Sequence, residues 1–163
     1  MRVCNAMALK KIRALEERKR LLIDREDEAS TFTYKEGETP AEKDYDYRAT
    51  REEIAEIDRQ VRAIRHALAK ANCTEHLAGE FADLTIGEAL VLLAQYSSEH
   101  DQLEDLVGNR QITRRVVSGG VTEYTECAYD VKEAKRDYLA LREKMSALQV
   151  AIDSANLTVT VEI

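Results

Sequence analysis

The segment VKEAKRDYLALREKMSALQVAIDSANLTVTVEI, residues 131–163, decides the fold. Val131, Ala134, Tyr138, Leu141, Met145, Leu148, Ile152 and Ala155 fall alternately three and four apart. That is the seven-residue seam of a helix packed on another helix. Beyond Asn156 the period drops to two: Val159, Val161 and Ile163 share one face, and Thr158, Thr160 and Glu162 the other. Residues 157–163 therefore read as a short terminal strand. Asp130 with Glu133 supplies a start signal at the other end of the seam.

The phrase that closes the seam, SANLT at 154–158, has a counterpart in KANCT at 70–74. Moving the second phrase back 84 residues, from Asn156 to Asn72, sets Leu141 on Ile57, Met145 on Val61, Leu148 on Ile64, Ile152 on Leu68 and Ala155 on Ala71. The chain reads as two copies of one unit, helix–connection–helix, each ending in Ala-Asn-x-Thr. Asn tolerates the left-handed conformation at a helix C′ position, and the following Thr favours extended chain, so each phrase is expected to stop its helix at Asn. Both phrases also fit the N-x-[ST] acceptor pattern, but no secretory context accompanies them.

The remaining helices follow from the same periods. Residues 6–30 carry Ala8, Ile12, Leu15 and Leu22 on one stripe. Residues 47–71 carry Ile54, Ile57, Val61, Ile64, Leu68 and Ala71. Thr85 with Glu88 is a capping box that opens a helix running to Val107, with Ile86, Leu90, Leu93, Tyr96, Leu103 and Val107 as its apolar face. Gly37 and Pro40 punctuate the connection 30–47. In the connection 108–130, Ile112–Val117 and Val121–Thr125 are β-prone and flank Ser118-Gly119-Gly120, so a β-hairpin over 110–126 is expected.

The expected fold is mainly α: a single domain of two antiparallel long-helix hairpins, residues 6–72 and 85–156, four helices with coiled-coil-like seams. A small β-hairpin sits at one end. The hairpin end also takes the 30–47 connection, where Thr31–Tyr34 could add an edge strand. The other end takes the 72–85 connection, the N-terminus and the terminal strand, which is expected to pair near 73–78 or with a neighbouring subunit. Met7 opens the helical pattern, so residues 1–6 read as an upstream start or a cloning remnant.

Composition narrows function. Of the 163 residues 34% are charged, the net charge is −7, and there is no Trp. A general attraction to nucleic acid or to an anionic membrane surface is disfavoured. The longest apolar run, Ala89–Ala94, is far short of the roughly 20 residues that span a bilayer. Cys4, Cys73 and Cys127 form no C-x-x-C pair and suit reduced thiols in a cytoplasm. His66, His76 and His100 follow Ala63, Cys73 and Ser97 at the third preceding position, so the Glu-x-x-His signature of di-metal bundles is absent. Cys73 and His76 lack a second ligand pair. No phosphate loop, nucleophile elbow or distinct acid–base pair is found, so no metal, cofactor or catalytic residue is assigned and a non-enzymatic protein is expected.

One locally basic feature stands out, RQITRR at 110–115. Arg110, Arg114 and Arg115, with Tyr124 on the facing strand, form a possible interaction site. Arginine beside an aromatic binds phosphate or stacks on bases. The plainer alternative is pairing with Glu123 and Glu126 across the hairpin or with an acidic helix of another subunit.

The segments YKEGETPAEKD, ANCT followed by LTIGEAL, and YDVKEAKRDYLALREKMSALQVAIDSANLTVTVEI together resemble the septicolysin-like family of bacterial proteins of unknown function. The resemblance covers nearly the whole chain and implies a helical, coiled-coil-like, oligomeric protein with no established catalytic residues. The family name hints at a membrane-lytic role, which the acidic charge and thin apolar stripes disfavour. The reading adopted is an oligomeric helical scaffold, joined through its helix seams and terminal strand. A nucleic-acid or nucleotide-associated protein using the basic hairpin is the alternative.

Overall fold

The computed structural model describes residues 1–39 and 45–163. Its elements are β1 (Arg2–Cys4), α1 (Asn5–Ala29), α2 (Tyr47–Thr74), α3 (Ile86–Val107), β2 (Ile112–Val116), β3 (Thr122–Glu126), α4 (Val131–Thr158) and β4 (Thr160–Glu162). The fold is mainly helical with two small antiparallel strand pairs, as the periodicity predicts. The residues form two compact units, Met1–Asn72 with Asn156–Ile163, and Cys73–Ala155. The two divisions fall within the two Ala-Asn-x-Thr phrases.

In the first unit α1 and α2 run antiparallel. Ala8 and Ile12 of α1 are buried in one cluster with Ile64, Leu68 and Ala71 of α2 and Val161 of β4. Charges on the flanks repeat the register: Arg18–Glu53 at 2.6 Å, Lys19–Asp58 at 2.7 Å and Glu16–Arg65 at 2.6 Å, with Glu26–Arg51 beyond them. Asp46 caps α2, its Oδ1 accepting from the Ala49 amide at 3.0 Å. The strand β4 pairs with β1, with Val3 opposite Val161.

In the second unit α3 and α4 also run antiparallel, and the His100 ring stacks on Tyr138 with centroids 4.7 Å apart. The predicted capping box is present. The Thr85 hydroxyl accepts from the Glu88 amide at 3.2 Å, and the Glu88 carboxylate accepts from the Thr85 amide at 2.8 Å. The Thr85 amide, and the Thr85 hydroxyl that donates to the same carboxylate at 2.8 Å, hold the Glu88 carboxyl below its ordinary value, with a further pull from His76. Asp130 caps α4 through the Lys132 amide at 2.8 Å. The predicted hairpin is the ribbon β2–β3, and Gly119 (φ 91°) and Gly120 (φ 76°) adopt the positive φ its turn requires.

The seam residues are buried or half-buried as their spacing predicts: Ile57, Ile64, Leu148 and Ile152 are buried, and Val61 and Met145 half-buried. α2 and α4 are each 28 residues long, and their ends, 47 and 74 against 131 and 158, keep the 84-residue offset.

Three expectations are corrected. Asn72 and Asn156 do not stop their helices: α2 and α4 run on to Thr74 and Thr158, and among the described residues no non-glycine has positive φ. The stop is made one residue later by pairing. Glu75 accepts a hydrogen bond from the Ile86 amide and Val159 one from the Asn5 amide, which commits the chain to extended backbone there. The terminal strand does not pair near 73–78. Its partner is β1, a strand of three residues, too short to show alternation in the sequence and placed within what read as an upstream start or a cloning remnant. Residues 31–35 form no strand, and among the described residues the ribbon has only its two strands. Pro40 lies outside the described residues.

Candidate interaction surface

The ribbon owes its place to a collar of hydrogen bonds at its base. The Tyr129 hydroxyl donates to the Leu106 carbonyl at 2.8 Å and accepts from Asn109 Nδ2 at 2.8 Å. Gln111 Nε2 donates to the carbonyls of Cys127 and Tyr129, while its Oε1 accepts from the Val131 amide at 3.0 Å. Cys127 closes the ring, its amide bonded to the Gln111 carbonyl at 2.9 Å and its thiol to the Arg110 carbonyl at 3.3 Å. The end of α3, the start of α4, the start of β2 and the end of β3 are thereby fixed together. Beside the collar lies an open depression of about 760 Å³ lined by Gln111, Cys127, Tyr129 and Val131 among others.

Above the collar the ribbon is bare. Every residue of β2 and all of β3 except Thr122 is exposed, including Ile112 (54%), Val116 (60%) and Tyr124 (68%). Side chains opposite one another in an antiparallel pair share a face. The register sets Ile112 opposite Glu126, Arg114 opposite Tyr124, Arg115 opposite Glu123 and Val116 opposite Thr122. One face therefore carries Ile112, Arg114 and Val116 with Glu126, Tyr124 and Thr122, and the other carries Arg115 with Glu123 and Thr113 with Thr125. Of the predicted site residues, the fold brings Arg114 and Tyr124 side by side. Arg115 lies on the reverse face, and Arg110 sits in the collar's loop. Among the described residues none of the three guanidinium groups makes an ion pair, so the pairing with Glu123 and Glu126 expected across the hairpin is not formed.

Sequence reasoning missed the collar. Nothing in the spacing of Asn109, Gln111 or Tyr129 marks a side chain that joins two helix ends. His100 is half-buried against Tyr138, and its ring nitrogen lies 3.6 Å from Asp101, with Glu104 one turn on. These three donors lie within 4.8 Å of one another on the side of α3. Asp101 and Glu104 are exposed there, as surface carboxylates commonly are.

No protein-family model and no curated protein matches the chain. Its fold is similar to the crystal structure of a functionally unknown conserved protein from Corynebacterium diphtheriae, with a TM-score of 0.67 at 16% identity over 99% of this chain and 100% of that one. At that identity the likeness concerns the fold alone.

Proposed function

We propose that this protein is a non-enzymatic interaction protein that works as a homo-oligomer in a reducing, cytoplasmic setting. One observation carries the reading: a rigidly based ribbon that exposes apolar and cationic side chains together and packs on nothing in its own unit. A two-stranded ribbon alone in water is marginally stable, and its open edges invite pairing. A partner that covers it removes both liabilities. Three unpaired cysteines suit the compartment. No helix among the described residues is long and apolar enough to cross a membrane, which favours this reading over a lytic one. Kinship with the septicolysin-like proteins is part of the proposal and adds only the expectation of an oligomer.

Size-exclusion chromatography with light scattering tests it. The proposal expects a mass at least twice the chain's 18.5 kDa at micromolar concentration. A mass of one chain at every concentration refutes it.

The unpaired guanidinium groups favour a second reading, a nucleic-acid binder that uses Arg110, Arg114, Arg115 and Tyr124. Fluorescence anisotropy with labelled single- and double-stranded oligonucleotides at low salt decides it, and no binding there removes it.

A further inference from the structure

The ribbon is an uncovered surface of the second unit, and another uncovered surface there, on α3, is acidic. α3 carries five carboxylates, Glu88, Glu99, Asp101, Glu104 and Asp105, and neither lysine nor arginine. It is also a poorly covered helix. Ile86 and Ala89 are buried, whereas Leu90 is 44% and Val91 59% exposed. One exposed stripe at three-and-four spacing runs Val91, Ala94, Ser98, Asp101, Asp105. It is apolar at the N-terminal end, has short side chains in the middle and is acidic at the C-terminal end.

We propose that a second copy of this chain covers the ribbon, and that the ribbon's seat is this stripe on the second copy's α3. The inference rests on the homo-oligomer reading and names its interface. The chemistry matches at both ends. Ile112 meets Val91, with its cross-strand neighbour Glu126 kept at that apolar end, and Arg114, two residues along the strand, reaches on toward the carboxylate of Asp101. The dimensions match as well. Ten residues of helix, from Val91 to Asp101, rise about 15 Å. A five-residue strand is about 17 Å long. Ala94 and Ser98 let the ribbon backbone come close. The chain's own α3 is not the seat, because the collar anchors the ribbon at the C-terminal end of that helix and both ribbon faces are exposed. Exchange of ribbons about a twofold axis gives two such contacts per dimer, which brings the buried area toward that of a stable interface.

Charge reversal with repair tests this. Arg114→Glu with Arg115→Glu makes a ribbon variant, and Asp101→Lys with Asp105→Lys makes a helix variant. All four residues are exposed, and unchanged helical circular dichroism confirms that each variant folds. The wild type elutes as a dimer. Each variant alone dimerises roughly 100-fold more weakly, since two contacts per dimer become like-charged. Mixing the two variants restores dimerisation, because in the mixed dimer each ribbon again faces a helix of opposite charge. Tyr124→Ala, which changes no charge, also weakens the wild-type dimer. A wild-type oligomer untouched by the ribbon variant and by Tyr124→Ala overturns the inference and leaves the homo-oligomer reading standing. A monomeric wild type overturns both. A monomeric wild type that binds labelled nucleic acid, and loses it in the ribbon variant, overturns both in favour of a nucleic-acid occupant.

Discussion

The backbone amide of Asn5 donates to the carbonyl of Val159 at 3.1 Å, in the position where the amide of Ile86 donates to the carbonyl of Glu75 at 2.9 Å. Each bond joins the first residue of a helix to the first residue past the end of another. Two residues further along, Val161 and Leu77 are both buried, at 5% and 4% exposure. These clasps occupy equivalent places at the 84-residue offset (159 against 75, 161 against 77) and take over the stop that the asparagines were expected to make. Leu77→Ala should destabilise by about 3 kcal/mol and Val161→Ala by about 2 kcal/mol. Urea unfolding measures both. Values near zero for both would show that the clasps hold nothing.

Asn5 itself carries a cost. Its side chain is 1% exposed, and neither Oδ1 nor Nδ2 has a hydrogen-bond partner. Its counterpart at the start of α3 is the apolar Ile86. Asn5→Leu removes an unsatisfied amide from an apolar site and should raise stability by about 1 kcal/mol. A lower midpoint in urea would contradict this.

The capping box gives a pH dependence. Glu88 has a folded-state pKa below its ordinary value because Thr85 hydrogen-bonds the carboxylate. Its contribution is therefore complete above the ordinary carboxylate range and is lost as pH falls through the lowered pKa. Thr85→Ala should cost about 1 kcal/mol at neutral pH. Glu88→Gln should shrink the wild type's loss of stability on acidification. An unchanged acid limb in Glu88→Gln contradicts the assignment.

The ion pairs between α1 and α2 mark register more than strength. The side chains of Lys19 and Asp58 are 33% and 48% exposed, so Lys19→Ala should cost less than about 1 kcal/mol and less still at high salt. Leu148→Ala, at a fully buried seam position, should cost about 3 kcal/mol, and Val150→Ser, two residues away but 66% exposed, about 0.5 kcal/mol or less. Thermal unfolding of the three variants ranks them. Equal losses at Leu148 and Val150 would mean the seam is misread.

The long elements were legible because each carries its signal locally. Three-and-four spacing in α2 and α4, the Thr85–Glu88 box and Gly119-Gly120 all predict structure that is present. The misread helix stops and the misplaced partner of the terminal strand share one cause, which is pairing between distant residues. β1 is three residues long, and only its partner, some 160 positions away, makes it a strand. The collar of Asn109, Gln111 and Tyr129 likewise exists only once α3 and α4 meet. Of the candidate site, the sequence revealed the residue types. It could not reveal that Arg114 and Tyr124 share a face with Ile112 and Val116 while Arg115 does not, since strand register sets that.

The chain has no tryptophan, so Tyr124→Trp places a single reporter on the ribbon. The account predicts that its emission, recorded over a dilution series, shifts to the blue as protein concentration rises and a second copy covers the ribbon. Emission fixed at its water-exposed wavelength from nanomolar to submillimolar protein would contradict it.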